Sequence, residues 1–166
     1  MKKILFLLIL LTTLFNFVQA QKGSINLSAG PLVSFPLDRY NINGYKTGVG
    51  VEFTGEFNLS NKSALLFQAG FTNLPAESVP DTYQENLKIL SLKIGYKYNI
   101  GSSGFYVNGL GGTDIEYKND FSTISFTLGA GKRFTIKEKY FLDAGIDYID
   151  GDTQRRLNFK VAFILF

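Results

Sequence analysis

The sequence predicts an all-β chain: an eight-stranded antiparallel up-and-down β-barrel that spans a membrane, preceded by a cleaved N-terminal segment. Three observations predict it. Apolar and polar residues alternate with a period of two through most of residues 21–166, the pattern of strands with two unlike faces. The alternating segments run for about ten residues, and short connections take turns with longer ones, as in a barrel with a turn rim and a loop rim. The composition agrees, with 16 Phe, 9 Tyr, 17 Gly and only 4 Pro, rich in strand formers and turn formers.

The first twenty residues read as a signal peptide. Lys2 and Lys3 form a basic start, Ile4 to Leu11 is unbroken and apolar, and Val18-Gln19-Ala20 supplies a small-residue cleavage site. As a retained anchor the segment is short and interrupted by Thr12, Thr13, Asn16 and Gln19, against the ~20 apolar residues a helical span needs. Residues 1–20 are therefore expected to be a leader and residues 21–166 one barrel domain. The formal charge of +3 owes much to Lys2 and Lys3, so no nucleic-acid partner is inferred from it. The chain has no Cys, which excludes disulfides, thiolate metal sites and a lipidated N-terminal cysteine.

Eight strands are expected at roughly 24–35, 47–58, 63–72, 87–98, 105–116, 123–134, 140–149 and 156–166. The second is the cleanest: Val49, Val51, Phe53 and Phe57 alternate with Gly50, Glu52, Thr54 and Glu56. The fourth sets Leu90, Leu92, Ile94 and Tyr96 against Ser91, Lys93, Gly95 and Lys97. The sixth sets Ile124, Phe126 and Leu128 against Ser125, Thr127, Gly129, Gly131 and Arg133. The seventh sets Leu142, Ala144 and Ile146 against Asp143, Gly145 and Asp147. The eighth sets Leu157, Phe159, Val161 and Phe163 against Asn158, Lys160 and Ala162. Pro31 cannot donate a ladder hydrogen bond, so a bulge or break is expected in the first strand. Connections 59–62, 99–104 and 135–139 read as short turns. Connections 36–46, 73–86, 117–122 and 150–155 read as longer loops.

Alternation alone fits two barrels. A soluble lipocalin-like barrel turns its apolar face inward to hold an apolar ligand; a membrane barrel turns it outward. Glycines and mid-strand charges on the polar face suit a narrow lumen. Lys88 and Lys132 fall on the apolar face but near strand ends, where a lysine stem can snorkel to the interface. The loop pattern and the final Phe166 favour the membrane form.

These features resemble the small outer-membrane β-barrels of Gram-negative bacteria, the OmpA/OmpX-like eight-stranded, porin-family group. The resemblance rests on the leader, the eight strands, the glycine-bearing stretches GLGG (109–112) and FTLGAGKRF (126–134), and the terminal Phe166. It implies export through the Sec pathway, residence among outer-membrane lipids, and insertion by the barrel-assembly machinery. The recognition signal would be the last strand, with Phe159, Val161, Phe163 and Phe166. Phe166 is out of phase with the other three, and there is no Trp. An interfacial girdle must come from residues such as Tyr96, Tyr98, Phe105, Tyr117, Tyr140 and Tyr148.

With the short turns placed in the periplasm, depth along each strand sorts the inward charges into two layers. Glu56, Lys97, Arg133 and Asp143 fall near the short-turn end; Glu52, Lys93, Asp147 and Lys160 fall nearer the middle. Each layer holds two acids and two bases. Desolvated charges need partners, so interlocked salt bridges that plug the lumen are expected.

The chain has no His. The resembling outer-membrane enzymes use a histidine base, and a Ser nucleophile here would lack its activator. No enzyme, cofactor or metal is expected. Asp147, Asp150 and Asp152 lack EF-hand spacing, and GAGKR (129–133) lacks the first glycine and the Ser/Thr of a phosphate loop. The reading is a non-enzymatic barrel serving envelope integrity or surface interaction, with a narrow porin-like channel as the alternative and a secreted soluble barrel as a second.

Overall fold

A computed structural model describes residues 24–37, 44–77, 85–117, 121–137, 140–151 and 154–165. The expected leader and Phe166 lie outside the described residues.

Eight strands follow in order: β1 Ile25–Pro36, β2 Gly48–Asn58, β3 Ser63–Leu74, β4 Leu87–Ile100, β5 Phe105–Glu116, β6 Phe121–Lys137, β7 Tyr140–Gly151 and β8 Arg155–Ile164. Each pairs with its sequence neighbour, and β8 returns antiparallel to β1, so the sheet closes. Closure satisfies both edges, which a strand structure in hydrocarbon requires. Every expected strand is present. The loop asymmetry is narrower than expected. Only 37–47 and 75–86 are long, because β6 begins at Phe121 and β7 runs to Gly151. The alternation continues into these segments, so ladder pairing replaces loop.

Pro31 acts as expected, by a break rather than a bulge. The β1–β8 ladder pairs Ala29 with Phe163 and Leu32 with Lys160 in one register, and skips Gly30 and Pro31 between them. A Cβ on Gly30 would lie 1.9 Å from the Val161 carbonyl oxygen, so only glycine allows this approach of the two backbones.

The period-two pattern separates two environments. Val49, Val51 and Phe53 of β2, Ile124, Phe126 and Leu128 of β6, and Phe159, Val161 and Phe163 of β8 all face out and are exposed, Leu128 at 68%. Leaving such a side chain in water forfeits about 1.5–3 kcal/mol, and this belt surrounds the barrel, so it needs hydrocarbon around it. Inside, Glu52, Glu56, Lys93, Lys97, Asp114, Asp147 and Arg156 are buried. This is the reverse of a soluble ligand-binding barrel. Towards the long-loop rim, Leu74, Leu87 and Ile89 form a small apolar cluster inside, with Tyr45 packed on it.

The outward aromatics include Tyr96, Tyr98, Phe105, Tyr117 and Tyr148, all exposed. Tyr117 meets Phe71 edge-on with ring centroids 6.5 Å apart. The side chain of Tyr140 lies outside the described residues.

Candidate functional site

Inward positions recur every second residue on each strand, and the barrel's stagger decides which of them meet. In this chain they meet as three stacked tiers of charge.

The tier nearest the short turns joins Glu56 of β2, Lys97 of β4, Arg133 of β6 and Asp143 of β7. Lys97 Nζ donates to Glu56 Oε2 at 2.8 Å and lies 3.5 Å from Asp143 Oδ2. The Arg133 guanidinium forks onto both carboxylates. Its Nε donates to Asp143 Oδ1 at 2.8 Å, and its Nη2 donates to Asp143 Oδ2 and Glu56 Oε2, each at 2.8 Å. Such planar forks make strong, directional pairs. The Tyr106 ring covers this tier, with Lys97 Nζ 4.1 Å from its centroid. Two lumen glycines make room for that ring. A Cβ on Gly131 would lie 2.4 Å from the Tyr106 hydroxyl oxygen, and one on Gly145 would lie 3.0 Å from it.

The middle tier has one base between two acids. Lys160 Nζ donates to Glu52 Oε1 at 2.9 Å and lies 2.6 Å from Asp147 Oδ2. The outer tier centres on Asp114 of β5. Arg156 of β8 donates through Nη2 to Asp114 Oδ2 at 2.7 Å and to Ser91 Oγ at 3.1 Å. Both Arg156 and Asp114 are wholly buried. Lys93 Nζ lies 3.8 Å from Asp114 Oδ1, an ion pair without a hydrogen bond, and donates to Thr127 Oγ1 at 2.8 Å. Glu116 is buried at the same end, and its charge reaches Arg156.

The structure brings Glu56, Lys97, Arg133 and Asp143 into one cluster. The second expected layer differs. Lys93 does not touch Glu52 or Asp147; it sits higher, against Asp114. Counting residues from strand ends ignores the barrel's stagger, which sets β4 and β5 against β7 and β8 at a different level. Asp114 and Arg156 belong to neither expected layer. Their signal was available: Asp114 shares phase with Tyr106 and Asn108, and Arg156 with Asn158 and Lys160. Asp147 faces the lumen, whereas Asp150 pairs with Arg155 at 2.8 Å among half-exposed side chains, so these two carboxylates do not converge. Asp152 lies outside the described residues. Gly129, Gly131 and Arg133 of GAGKR line the lumen as a strand, and Phe159, Val161 and Phe163 of β8 face outward.

Among the described residues, six lumen carboxylates face five lumen cations. A cavity of about 30 Å³, lined by Glu52, Glu56, Gln68, Lys97, Asn108 and Lys160 among others, lies between the first two tiers. No group of three potential metal-binding side chains gathers among the described residues.

Three solved outer-membrane proteins share the fold. The attachment invasion locus protein Ail of Yersinia pestis is 17% identical, with a TM-score of 0.58 over 87% of this chain and 98% of Ail. Ail has also been solved with the heparin analogue sucrose octasulfate. Neisserial surface protein A is 13% identical, with a TM-score of 0.61 over 88% of this chain and 100% of its own. OprG from Pseudomonas aeruginosa is 11% identical, with a TM-score of 0.59 over 86% and 95%. No curated protein matches in sequence. The family model of the outer membrane protein beta-barrel domain matches residues 5–163. An apolar belt outside, a charged lumen inside, a closed eight-stranded sheet and a family match across nearly the whole length agree: the chain belongs to the outer membrane protein beta-barrel domain family, whose place is the bacterial outer membrane.

Proposed function

We propose that this chain is a non-enzymatic outer-membrane barrel with a sealed lumen, acting in envelope integrity or surface interaction through its two long loops. The observation that carries the reading is the three-tier charge network, with a cavity of about 30 Å³ between its first two tiers, room for about two waters. A porin-like channel needs a continuous wet path, and Arg133, Lys97 and Tyr106 close this one near the short-turn rim. The lumen residues Glu52, Glu56, Lys93, Lys97, Arg133, Asp143, Asp147 and Lys160, joined by Asp114 and Arg156, serve as an internal brace. Connections 37–47 and 75–86 stand on that rigid support, where recognition loops are usually placed. Export through the Sec pathway and insertion by the barrel-assembly machinery complete the reading, with Phe159, Val161, Phe163 and Phe166 as the insertion signal.

Planar-bilayer recording tests the seal. The purified, heat-modifiable barrel should show no discrete openings in molar salt. Reproducible single-channel steps would establish the channel reading instead.

A further inference from the structure

We propose that the outer wall carries a specific site for one anionic phospholipid of the leaflet at the short-turn rim. A groove of about 840 Å³ indents the hydrocarbon-facing surface. Its floor is Ala130, Ala144 and Pro31, and Phe105, Val107 and Phe159 rise beside it. A barrel wall is convex, so outward side chains of uniform size leave no such hollow. Here two alanines and a proline interrupt a belt built mainly of Phe, Ile, Leu and Val.

The groove has a charged end. Lys132 lines it and points outward from β6, opposite Phe105, the first residue of β5. It therefore lies level with turn 101–104, at headgroup depth. Its Nζ is 4.7 Å from the Phe105 ring centroid and 5.2 Å from that of Phe134. Among the described residues no carboxylate pairs with it.

From Lys132 the hollow runs across consecutive ladder partners, Ala144 and then Val161, to Pro31 beyond the β1–β8 break. Strands stand about 4.8 Å apart, so the path from β5 to β1 is about 19 Å long. Strand tilt carries that row obliquely from the rim into the hydrocarbon. A cation at headgroup depth above an apolar trench fits a phosphate with one acyl chain beneath it. A second copy of the barrel fits worse, because a two-fold interface here would bring two Lys132 ammoniums into one apolar seam. The inference rests on the outer-membrane reading, with the short turns towards the periplasm.

The test uses the full barrel in nanodiscs of equal phosphatidylglycerol and phosphatidylethanolamine, released gently and weighed by native mass spectrometry. The wild type should retain one phosphatidylglycerol in preference to phosphatidylethanolamine. Lys132→Gln should abolish the preference while a lipid is still retained. Ala144→Phe, which fills the trench from outside, should lose the retained lipid of either kind. Heat-modifiable migration of each variant shows that the barrel has formed, and conductance recording on the same samples reports the lumen separately. If Ala144→Phe does not fold, Ala130→Phe replaces it. Equal retention of both lipids by the wild type, unchanged preference in Lys132→Gln, or a lipid-free dimer through this face would each overturn the proposal.

Discussion

Neutralising Glu56 should unbalance the lower tier without changing its shape. Glu56→Gln keeps the side-chain volume and one carbonyl acceptor. It leaves Lys97 and Arg133 sharing Asp143 alone, so a tier of two cations and two carboxylates gains a net positive charge. The side chains of Lys97 and Glu56 are 3% and 6% exposed, so water screens little of the excess. Two unit charges about 4 Å apart attract by about 4 kcal/mol at an effective dielectric of 20. Two lost attractions therefore amount to about 8 kcal/mol. Relief of the repulsion with Asp143 and of the burial of the Glu56 charge offsets several kcal/mol. The net loss should be about 3–5 kcal/mol, the usual cost of breaking one side of a buried pair. At about 2–4 °C per kcal/mol for a chain of this size, the thermal midpoint should fall by about 6–20 °C. The midpoint is read from heat-modifiable migration after incubation at stepped temperatures. The double variant Glu56→Gln/Lys97→Met restores neutrality around the Arg133–Asp143 fork. It should recover about 2 kcal/mol or more relative to the sum of the single effects. A single-variant loss below about 1 kcal/mol, or strict additivity in the double variant, would mean a wet, screened lumen and would refute the brace.

Other substitutions probe the remaining levels. Asp114→Asn removes the carboxylate shared by Arg156 and Lys93, the former wholly buried. Urea unfolding in lipid vesicles should show a loss of at least about 3 kcal/mol. Gly131→Val puts carbon where the Tyr106 hydroxyl lies, 2.4 Å from the Cβ position, and should cost about 1–3 kcal/mol. Adding Tyr106→Ala should return part of that loss, and no rescue would show that the backbone rather than the ring sets the limit. Leu128→Lys places a charge on the outer face near the middle of β6, where Leu128 is 68% exposed. It should cost about 2–4 kcal/mol in bilayers; a neutral result would contradict the hydrocarbon-facing assignment.

The strand number, the strand positions to within a few residues, and the residues that share a face are all legible in the linear sequence. The reason is local: a pleated strand places side chains on alternate sides whatever its neighbours do. Phase alone was enough to send Glu52, Lys97, Arg133 and Lys160 to one face and Phe126, Leu128 and Phe159 to the other. It could have done the same for Asp114 and Arg156. Which inward charges meet is set by the closed sheet. That depends on the stagger between strands far apart in sequence, such as Glu56 with Arg133 or Asp114 with Arg156, and no local pattern encodes it. Stagger moved Lys93 from the middle tier to Asp114, and only the closed wall brought Ala130, Ala144 and Pro31 together beside Lys132. Closure and shear are properties of the whole sheet, so pairings across the lumen and hollows on the wall become legible only once all eight strands are in register.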